Sequence, residues 1–473
     1  MRIESWVSGT APLLAGLAVA LMPHPAALSP HAWHYFALFV AVVVALVLEP
    51  APPACVGLLG VTVAAATGLV EPAPGDAIRW ALSGFSNSTV WLIFAAFMFA
   101  LGYERTGLGT RIALLLARKL GGRPLGLGYA VALADVLLAP FTPSNTARSA
   151  GTVYPVIRQV PGLFEVYSGD ASRRMGGYLM WTAFATTCVT SSTFVTALAP
   201  NLLALELVRT NTGIDISWTE WVRGFWPVSV VLLALVPLLA HRLYRPHSSG
   251  GDAVTAWAAG ELARLGRLTR REVVMGGLAL AALGLWAFGR SVIDATTVAL
   301  AVVVLMVLTR IVTWDDVLGH RAAWNVLAWF ATLVTLADGL NRVGVVKWIA
   351  GSAAASLAGQ PPTTVVLALV ALFFAMHYLF ASVTAHVTAV LPVMLAAGSA
   401  VPGVPLRDFA LLLCFSLGLM GVITPYATGP APVYFASGFL PRRTFWALGF
   451  LFGAIFLAAL VAVGLPWLAV ISR

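Results

Sequence analysis

Charge is scarce in this sequence. Only 10% of its 473 residues are charged, whereas 60% are hydrophobic, and the mean hydropathy is +0.90. A water-soluble domain of this length does not need so much apolar residue, and many apolar stretches approach the ~20 residues that span a bilayer. The composition excludes an ordinary soluble protein and predicts an all-α polytopic membrane protein. We expect its first apolar stretch, near 10–29, to be an uncleaved helix.

Cysteine is also rare, and the three cysteines, Cys55, Cys188 and Cys414, all lie in apolar segments. They predict neither a disulfide framework nor a metal site, and we expect no cofactor. Catalytic patterns are missing too: there is no H-E-x-x-H sequence, and His377 and His386 lie nine residues apart without an obvious third ligand. An intramembrane enzyme, which would need such a metal set or a nucleophile and base, is therefore disfavoured.

The net charge of +9 comes from an excess of basic residues. No run is dense enough in Lys and Arg to predict binding to nucleic acid, and basic residues that anchor cytoplasmic loops explain the excess better. We therefore expect the lipid bilayer, not nucleic acid, to be the large partner of this chain.

Hydropathy divides the chain into unbroken and interrupted apolar segments. Unbroken helices are predicted near 10–29, 33–49, 53–71, 89–103, 223–244, 273–291, 294–312, 323–338 and 445–468. Interrupted segments are predicted at 126–158, 175–206, 363–400 and 406–437, with breaks at "PFTPSNT", "TTCVTSSTFVTALAPN", "FASVTAH" and "ITPYATGPAP". An amphipathic stretch, "TGLGTRIALLLARKL", is expected to lie along the membrane surface. The only long polar linker is 245–272.

The two halves of the sequence resemble each other. "FAAFMFALGYERTGLGTRIA" is similar to "FATLVTLADGLNRVGVVKWIA", and "SNTAR" in the first half matches "SVTAH" in the second. If 126–158 and 363–400 are re-entrant hairpins, there are about eleven crossings, and the hairpins open to opposite sides. Lys and Arg then concentrate on the cytoplasmic side, with the N-terminus inside and the C-terminus outside. An inverted repeat with paired interrupted helices is typical of a secondary transporter whose site lies near the midplane. A channel is the alternative, but the inverted hairpins favour alternating access.

The hairpin tips carry the candidate binding residues. Backbone that is irregular within a membrane must line a cavity or be buried in protein, and the start of a helix offers free N–H donors to an anion. The first tip adds Ser144, Asn145 and Thr146; the second has Ser382 and Thr384, with Val383 in place of the amide. Two such tips fit a substrate with a carboxylate at each end. Each hydroxyl alone could instead serve helix–helix packing.

The other two breaks are expected to supply the cavity walls. "TSST" contributes Ser191, and "TPYAT" contributes Thr424, Pro425 and Thr428.

The motifs at the four interruptions, "FTPSNTARS", "TSSTFVTALAPN", "HYLFASVTAHVTAVLP" and "ITPYATGPAPVY", resemble the divalent anion:sodium symporter (DASS) superfamily. The resemblance is closest to its exchanger branch, which includes citrate/succinate and tartrate/succinate antiporters and the plastid 2-oxoglutarate/malate translocator. The likeness extends over nearly the whole chain. It implies a homodimer in the bacterial inner membrane that moves di- or tricarboxylates by an elevator mechanism. It also implies scaffold helices at 1–103 and 273–338, transport-domain halves at 104–222 and 339–440, a helix at 223–244 that closes the first repeat, a cytoplasmic linker at 245–272 and a last helix at 441–473.

One departure from the family pattern bears on coupling. Sodium-coupled members carry Ser-Asn-Thr at both tips, whereas the second tip here reads Ser-Val-Thr, and a basic residue, Arg148 or His386, follows each S-x-T-A. Because the family's sodium sites lie beside the tips, these side chains are predicted to replace Na⁺. The alternative is that both are paired for structure alone, with Asp135 as a candidate partner. The sequence therefore favours a sodium-independent di- or tricarboxylate antiporter over a sodium-coupled symporter of the same fold. It does not name the substrate among succinate, malate, 2-oxoglutarate, citrate and tartrate.

Overall fold

A computed structural model of the chain describes residues 2–164, 169–246, 251–289, 291–357 and 359–472. Within them the chain forms 23 α-helices, short 3₁₀ and π segments, and no strand, which confirms the all-α prediction. The helices of the first half are α1 (Arg2–Leu21), α2 (Pro30–Leu48), α3 (Pro53–Ala66), α4 (Pro74–Leu82), α5 (Ser88–Thr106), α6 (Leu108–Leu120), α7 (Pro124–Leu138), α8 (Tyr154–Ile157), α9 (Gly169–Thr193), α10 (Ala199–Thr212), α11 (Trp218–Tyr244) and α12 (Gly251–Leu265).

The helices of the second half are α13 (Arg270–Phe288), α14 (Ala295–Leu308), α15 (Trp314–Gly319), α16 (Arg321–Arg342), α17 (Val345–Leu357), α18 (Pro362–Met376), α19 (Val383–Ser399), α20 (Leu406–Leu419), α21 (Ala431–Phe435), α22 (Arg442–Ala459) and α23 (Leu465–Ile471). Eight helical stretches in the described residues are long and apolar enough to cross a membrane, and five shorter helices are also apolar. The predicted number of eleven crossings stays a prediction.

Helix starts follow local capping chemistry. Ser217 and Thr269 form capping boxes at α11 and α13, in which the hydroxyl accepts from the N3 amide and a glutamate accepts from the cap amide. Asp294 caps α14, and Ser29 caps α2, whose first residue is Pro30. Short polar side chains therefore set where the apolar segments begin.

The first compact unit comprises residues 1–94, 202–216 and 320–414. In it α16 packs against α3 and against the 3₁₀ turn Ser83–Ser86. The approach is close enough that a Cβ on Gly84 would lie 1.9 Å from the carbonyl oxygen of Ala331, so only glycine fits there. Tyr35 of α2 donates to the Leu336 carbonyl of α16 at 2.6 Å. The unit also holds α18 and α19, the arms of the second predicted hairpin.

The second compact unit comprises residues 95–201, 217–319 and 415–473. Its central element is α9, which packs against α7 and α11 and is buried along its whole length from Met175 to Thr193. The unit also holds the first predicted hairpin and the interrupted segment after α20. Both hairpins share one order of elements: a helix, a three-residue 3₁₀ turn, an irregular tip and a second helical segment.

The four predicted interruptions are confirmed. They occur between α7 and the π-helix Thr146–Val153, between α9 and α10, between α18 and α19, and between the 3₁₀ turn Met420–Val422 and α21. Two other expectations are corrected. The first helix ends at Leu21 rather than near residue 29, because Pro23 and Pro25 follow Leu21 closely. The linker predicted at 245–272 contains α12, which packs against α6; residues 247–250 lie outside the described residues.

Candidate functional site

The first hairpin tip is an irregular turn held by backbone and side-chain bonds. After α7, the 3₁₀ turn Ala139–Phe141 leads to Pro143, whose carbonyl accepts from the amide of Ala199 at 2.7 Å. The Ser144 hydroxyl accepts from the amide of Ala147 at 3.2 Å, as an N-cap does. The following segment is a π-helix, a geometry that is frequent at functional sites. This tip is therefore fastened to the second interruption, where α10 begins.

The Ser-Asn-Thr run divides between buried and exposed positions. The Asn145 amide is buried and donates to the Thr428 hydroxyl at 2.8 Å, which joins the tip to the interruption after α20. Thr146 is exposed, and Ser144 is half-buried. The tip thus presents the start of a helix and two hydroxyl groups at an accessible edge. The Asn145 amide between them holds the tip in position through its bond to Thr428.

The loop around Gly429 passes directly against this tip. A Cβ on Gly429 would lie 1.9 Å from the Thr146 hydroxyl oxygen, which only glycine avoids. Thr424 and Thr428 of the same loop are buried, and Pro425 is half-buried. The loop that was predicted to form a wall therefore lies beside the Ser-Asn-Thr tip.

Arg148 lies behind the tip and is completely buried. Its Nε donates to Asp135 Oδ2 at 3.1 Å, and its Nη1 donates to two main-chain carbonyls, those of Thr142 and Ala197, at 2.8 Å each. Its Nη2 lies within hydrogen-bond distance of three hydroxyls of α9, those of Thr187, Thr190 and Ser191, at 3.2–3.3 Å.

This arrangement gives the guanidinium an unusual set of partners. Thr142 and Ala197 lie at two different interruptions, where helix carbonyls lose their intrahelical bonds. Carbonyl and hydroxyl oxygens are the ligands that hard cations take in proteins. Arg148 therefore occupies an oxygen-lined position that suits a cation. Asp135, named from the sequence as a candidate partner, is confirmed as that partner, so the pair is formally neutral.

The second tip lies in the first compact unit. Ser382 caps α19 by accepting from the amide of Ala385 at 3.4 Å, which repeats the part that Ser144 plays in the first tip. Val383 and Thr384 are buried, and the Thr384 carbonyl accepts from the Thr388 hydroxyl at 2.9 Å. With valine in place of the amide, the side chain at this position cannot donate a hydrogen bond as Asn145 does.

His386 has surroundings unlike those of Arg148. Its ring packs edge-on against the rings of Phe373, Phe380 and His377, with centroid separations of 4.4, 4.9 and 5.1 Å. In the described part of the chain neither of its ring nitrogens has a hydrogen-bond partner, and no carboxylate contacts it. A positive charge here would be held among aromatic rings without a compensating anion.

A family model described as the sodium:sulfate symporter transmembrane region matches residues 3–472. The chain belongs to this family. The resemblance found in the sequence motifs is thereby confirmed, and the family is one of membrane transporters rather than enzymes.

Among curated relatives, the L-tartrate/succinate antiporters of Escherichia coli K12 and Shigella sonnei are each 47% identical to this chain over 479 residues, with 98% of both chains covered. Two solved structures share the fold. The YdaH transporter of Alcanivorax borkumensis has a TM-score of 0.57 at 15% identity, covering 89% of this chain and 98% of that one. MtrF of Neisseria gonorrhoeae, from a class of antimetabolite efflux pumps, has a TM-score of 0.51 at 13% identity, covering 88% and 95%.

The structure sorts the sequence-predicted residues into two groups. Asn145, Thr146, Ser191, Arg148 and the loop from Thr424 to Thr428 belong to one connected cluster in the second unit. Ser382, Val383, Thr384 and His386 belong to the first unit.

Sequence reasoning missed several members of the cluster in the second unit. The hydroxyl groups of Tyr434 and Ser149 form a hydrogen bond of 2.8 Å, and the Asn201 side-chain amide donates to the Ser191 carbonyl at 2.7 Å. Thr187 and Thr190 were also missed as partners of Arg148. Their signal was the dense run of Ser and Thr in α9, which is costly in a membrane unless it faces polar groups.

Proposed function

We propose that this chain is a sodium-independent antiporter that exchanges dicarboxylates, with succinate and tartrate as the first candidates, across the bacterial inner membrane. The observation that carries the proposal is its 47% identity to L-tartrate/succinate antiporters along 98% of both chains. Malate, 2-oxoglutarate and citrate are further candidates because they differ from these acids by a hydroxyl, a carbonyl or one carboxylate.

Arg148 supports sodium independence. Its guanidinium takes up carbonyl oxygens from two interruptions and hydroxyls from α9, so it uses the oxygen atoms that a bound Na⁺ would need. An arginine stays charged and is covalently fixed. In our proposal it takes the place of a coupling ion beside the first tip, and His386 holds the corresponding place beside the second. Neither ring nitrogen of His386 has a hydrogen-bond partner in the described residues, and in our proposal a substrate carboxylate at the second tip supplies one.

The substrate clamp has two parts in this proposal. Ser144, Asn145 and Thr146 form a carboxylate-binding group at the first tip, and Ser382 and Thr384, with Val383 between them in sequence, form a second such group at the second tip. Thr424, Pro425, Thr428 and Ser191 support the first part, since the structure ties Asn145 to Thr428 and Ser191 to Arg148. We expect a substrate with one carboxylate to bind weakly, because it can satisfy fewer of these donor groups than a dicarboxylate.

The movement belongs to the proposal as well. We expect the halves 104–222 and 339–440 to move as a transport domain against scaffold helices at 1–103 and 273–338, within a homodimer. The N-terminus faces the cytoplasm, and the C-terminus faces outward. The sodium-coupled symporter is the competing function within the same family.

The decisive experiment is uptake of radiolabelled succinate into liposomes in Na⁺-free buffer, with and without internal succinate or tartrate. We expect rapid uptake only into preloaded vesicles, strong competition by dicarboxylates and weak competition by lactate. A strict need for Na⁺, or equally fast uptake into empty vesicles, contradicts antiport and favours the symporter. Equal competition by lactate and succinate contradicts the two-tip clamp alone.

A further inference from the structure

The carboxylate of Asp135 lies on α7 behind the first tip, with 1% of its side chain exposed. One of its oxygens, Oδ2, accepts from Arg148 and from the Thr190 hydroxyl. The other, Oδ1, is buried and has no hydrogen-bond partner in the described residues. A buried acceptor without a donor is unfavourable, so hydrogen bonding alone does not account for a carboxylate at this position.

The partners of Arg148 divide into one anion and several neutral groups. Besides Asp135, it contacts two carbonyls and three hydroxyls. Those neutral contacts satisfy the Nη donors whether or not position 135 is charged. In the part of the chain that the structure describes, Asp135 is the only partner that brings a negative charge into contact with the guanidinium.

We infer that Asp135 sets the affinity of the first tip for anions by neutralising Arg148. This inference rests on the proposed function and specifies the charge of the same site. An exchanger must release each substrate as well as bind it. In a buried site, an uncompensated guanidinium would hold a dianion tightly. When the guanidinium is neutralised by Asp135, only the start of the helix and the hydroxyls of the tip attract the anion.

The inference predicts the sign of a change in affinity. If Asp135 only positions Arg148 or braces α7, then removing its charge loosens the tip and weakens substrate binding. If it neutralises Arg148, then removing its charge strengthens the binding of anions, and most strongly that of dianions. The two roles therefore move the dissociation constant in opposite directions.

The test is equilibrium binding of radiolabelled succinate, and of its monoamide succinamate, to purified protein in Na⁺-free buffer. We expect Asp135→Asn, or the smaller Asp135→Ser if the first does not fold, to bind succinate roughly tenfold more tightly, with a smaller gain for succinamate. Asp135→Glu keeps the charge and should show no gain in succinate affinity. In the double variant Asp135→Asn with Arg148→Gln, the gain should disappear.

Glu272→Gln is the matched control. It removes the carboxylate of another buried ion pair in the same unit, between Glu272 and Arg111, that touches none of the tip residues. Although Glu272→Gln lowers stability, the protein that remains folded should bind succinate with the wild-type affinity. The inference is overturned if both neutral Asp135 variants bind succinate more weakly than the wild type or equally well. It is also overturned if succinate and succinamate gain equally, or if neither variant folds. Wild-type protein that binds none of succinate, tartrate, malate, 2-oxoglutarate and citrate overturns the proposed function, and the inference with it.

Discussion

Gly429 is the residue at which the first tip leaves least room. Any Cβ there would lie 1.9 Å from the Thr146 hydroxyl oxygen and 3.3 Å from its Cβ. Removing the hydroxyl therefore removes the worse of the two contacts. This geometry links two residues that are far apart in sequence through one atom, and such coupling is measurable by a double-mutant cycle.

We predict that Gly429→Ala reduces succinate exchange by roughly tenfold or more, because the tip must shift and misplacement near a binding site is costly. In a Thr146→Ala background the same change at 429 should have little further effect. The measurement is initial exchange rate in proteoliposomes for the four members of the cycle. Gly162→Ala, at a position with no atom within 4 Å of the added Cβ, is the control and should exchange normally. Additive losses in the double variant would contradict the contact.

At the scale of elements, a buried ion pair joins α6 to the start of α13. Arg111 Nε donates to Glu272 at 2.5 Å, and its Nη1 donates to the Gly266 carbonyl at 3.0 Å. Glu272 also closes the capping box with Thr269. One carboxylate therefore anchors the amphipathic helix, the end of the linker and the first turn of a membrane helix.

We predict that Glu272→Gln lowers the free energy of unfolding by about 3–5 kcal/mol, since it leaves a buried guanidinium without its anion. The measurement is thermal denaturation of purified protein in detergent. Asp170→Asn, which breaks a pair with side-chain exposures of 51% for Arg174 and 65% for Asp170, should cost about 1 kcal/mol or less. Equal destabilisation by the two variants would show that the buried ion pair contributes no more to stability than the exposed one.

The elements also show what the sequence could and could not predict. The interruptions were predictable because Pro143, Pro425 and the Ser/Thr runs are local signals. Helix α12 was not, because its 15 residues lack the hydropathy of a span and are stabilised by packing on α6. Long-range pairs were also beyond reach: Asn145 and Thr428 are 283 residues apart, and no periodicity joins them. Asp135 was predictable as a partner of Arg148 because both lie in one hairpin.

At the scale of the whole molecule, the predicted orientation depends on the distribution of Lys and Arg. Two exposed positions test it: Ser472 near the C-terminus, predicted to lie outside, and Arg267 in the linker, predicted to lie inside. The native cysteines interfere little, because Cys188 and Cys414 are buried and only Cys55 is exposed.

We predict that, in a Cys55→Ser background, Ser472→Cys reacts with a membrane-impermeant maleimide in intact spheroplasts. Arg267→Cys should react only after the membrane is permeabilised. The measurement is mass-tag labelling resolved by gel shift. The reverse pattern would invert the topology, and labelling of both positions in intact cells would contradict a single orientation.

The π-helix at Thr146–Val153 makes the first tip sensitive to chain length. A π turn closes with one residue more than an α turn, so this segment holds a surplus residue. Substitution at Gly151, where an added Cβ would meet nothing nearer than the Thr146 carbonyl oxygen at 3.8 Å, leaves that count unchanged. Deleting Gly151 would let the segment close as an ordinary α-helix. Every residue before the deletion would then be turned by about 100° relative to those after it. Arg148 could then no longer contact Asp135 while the ring of Tyr154 keeps its contact with the ring of Tyr434, at a centroid separation of 5.4 Å. Homologous sequences that align here without a gap are therefore the ones expected to share this site.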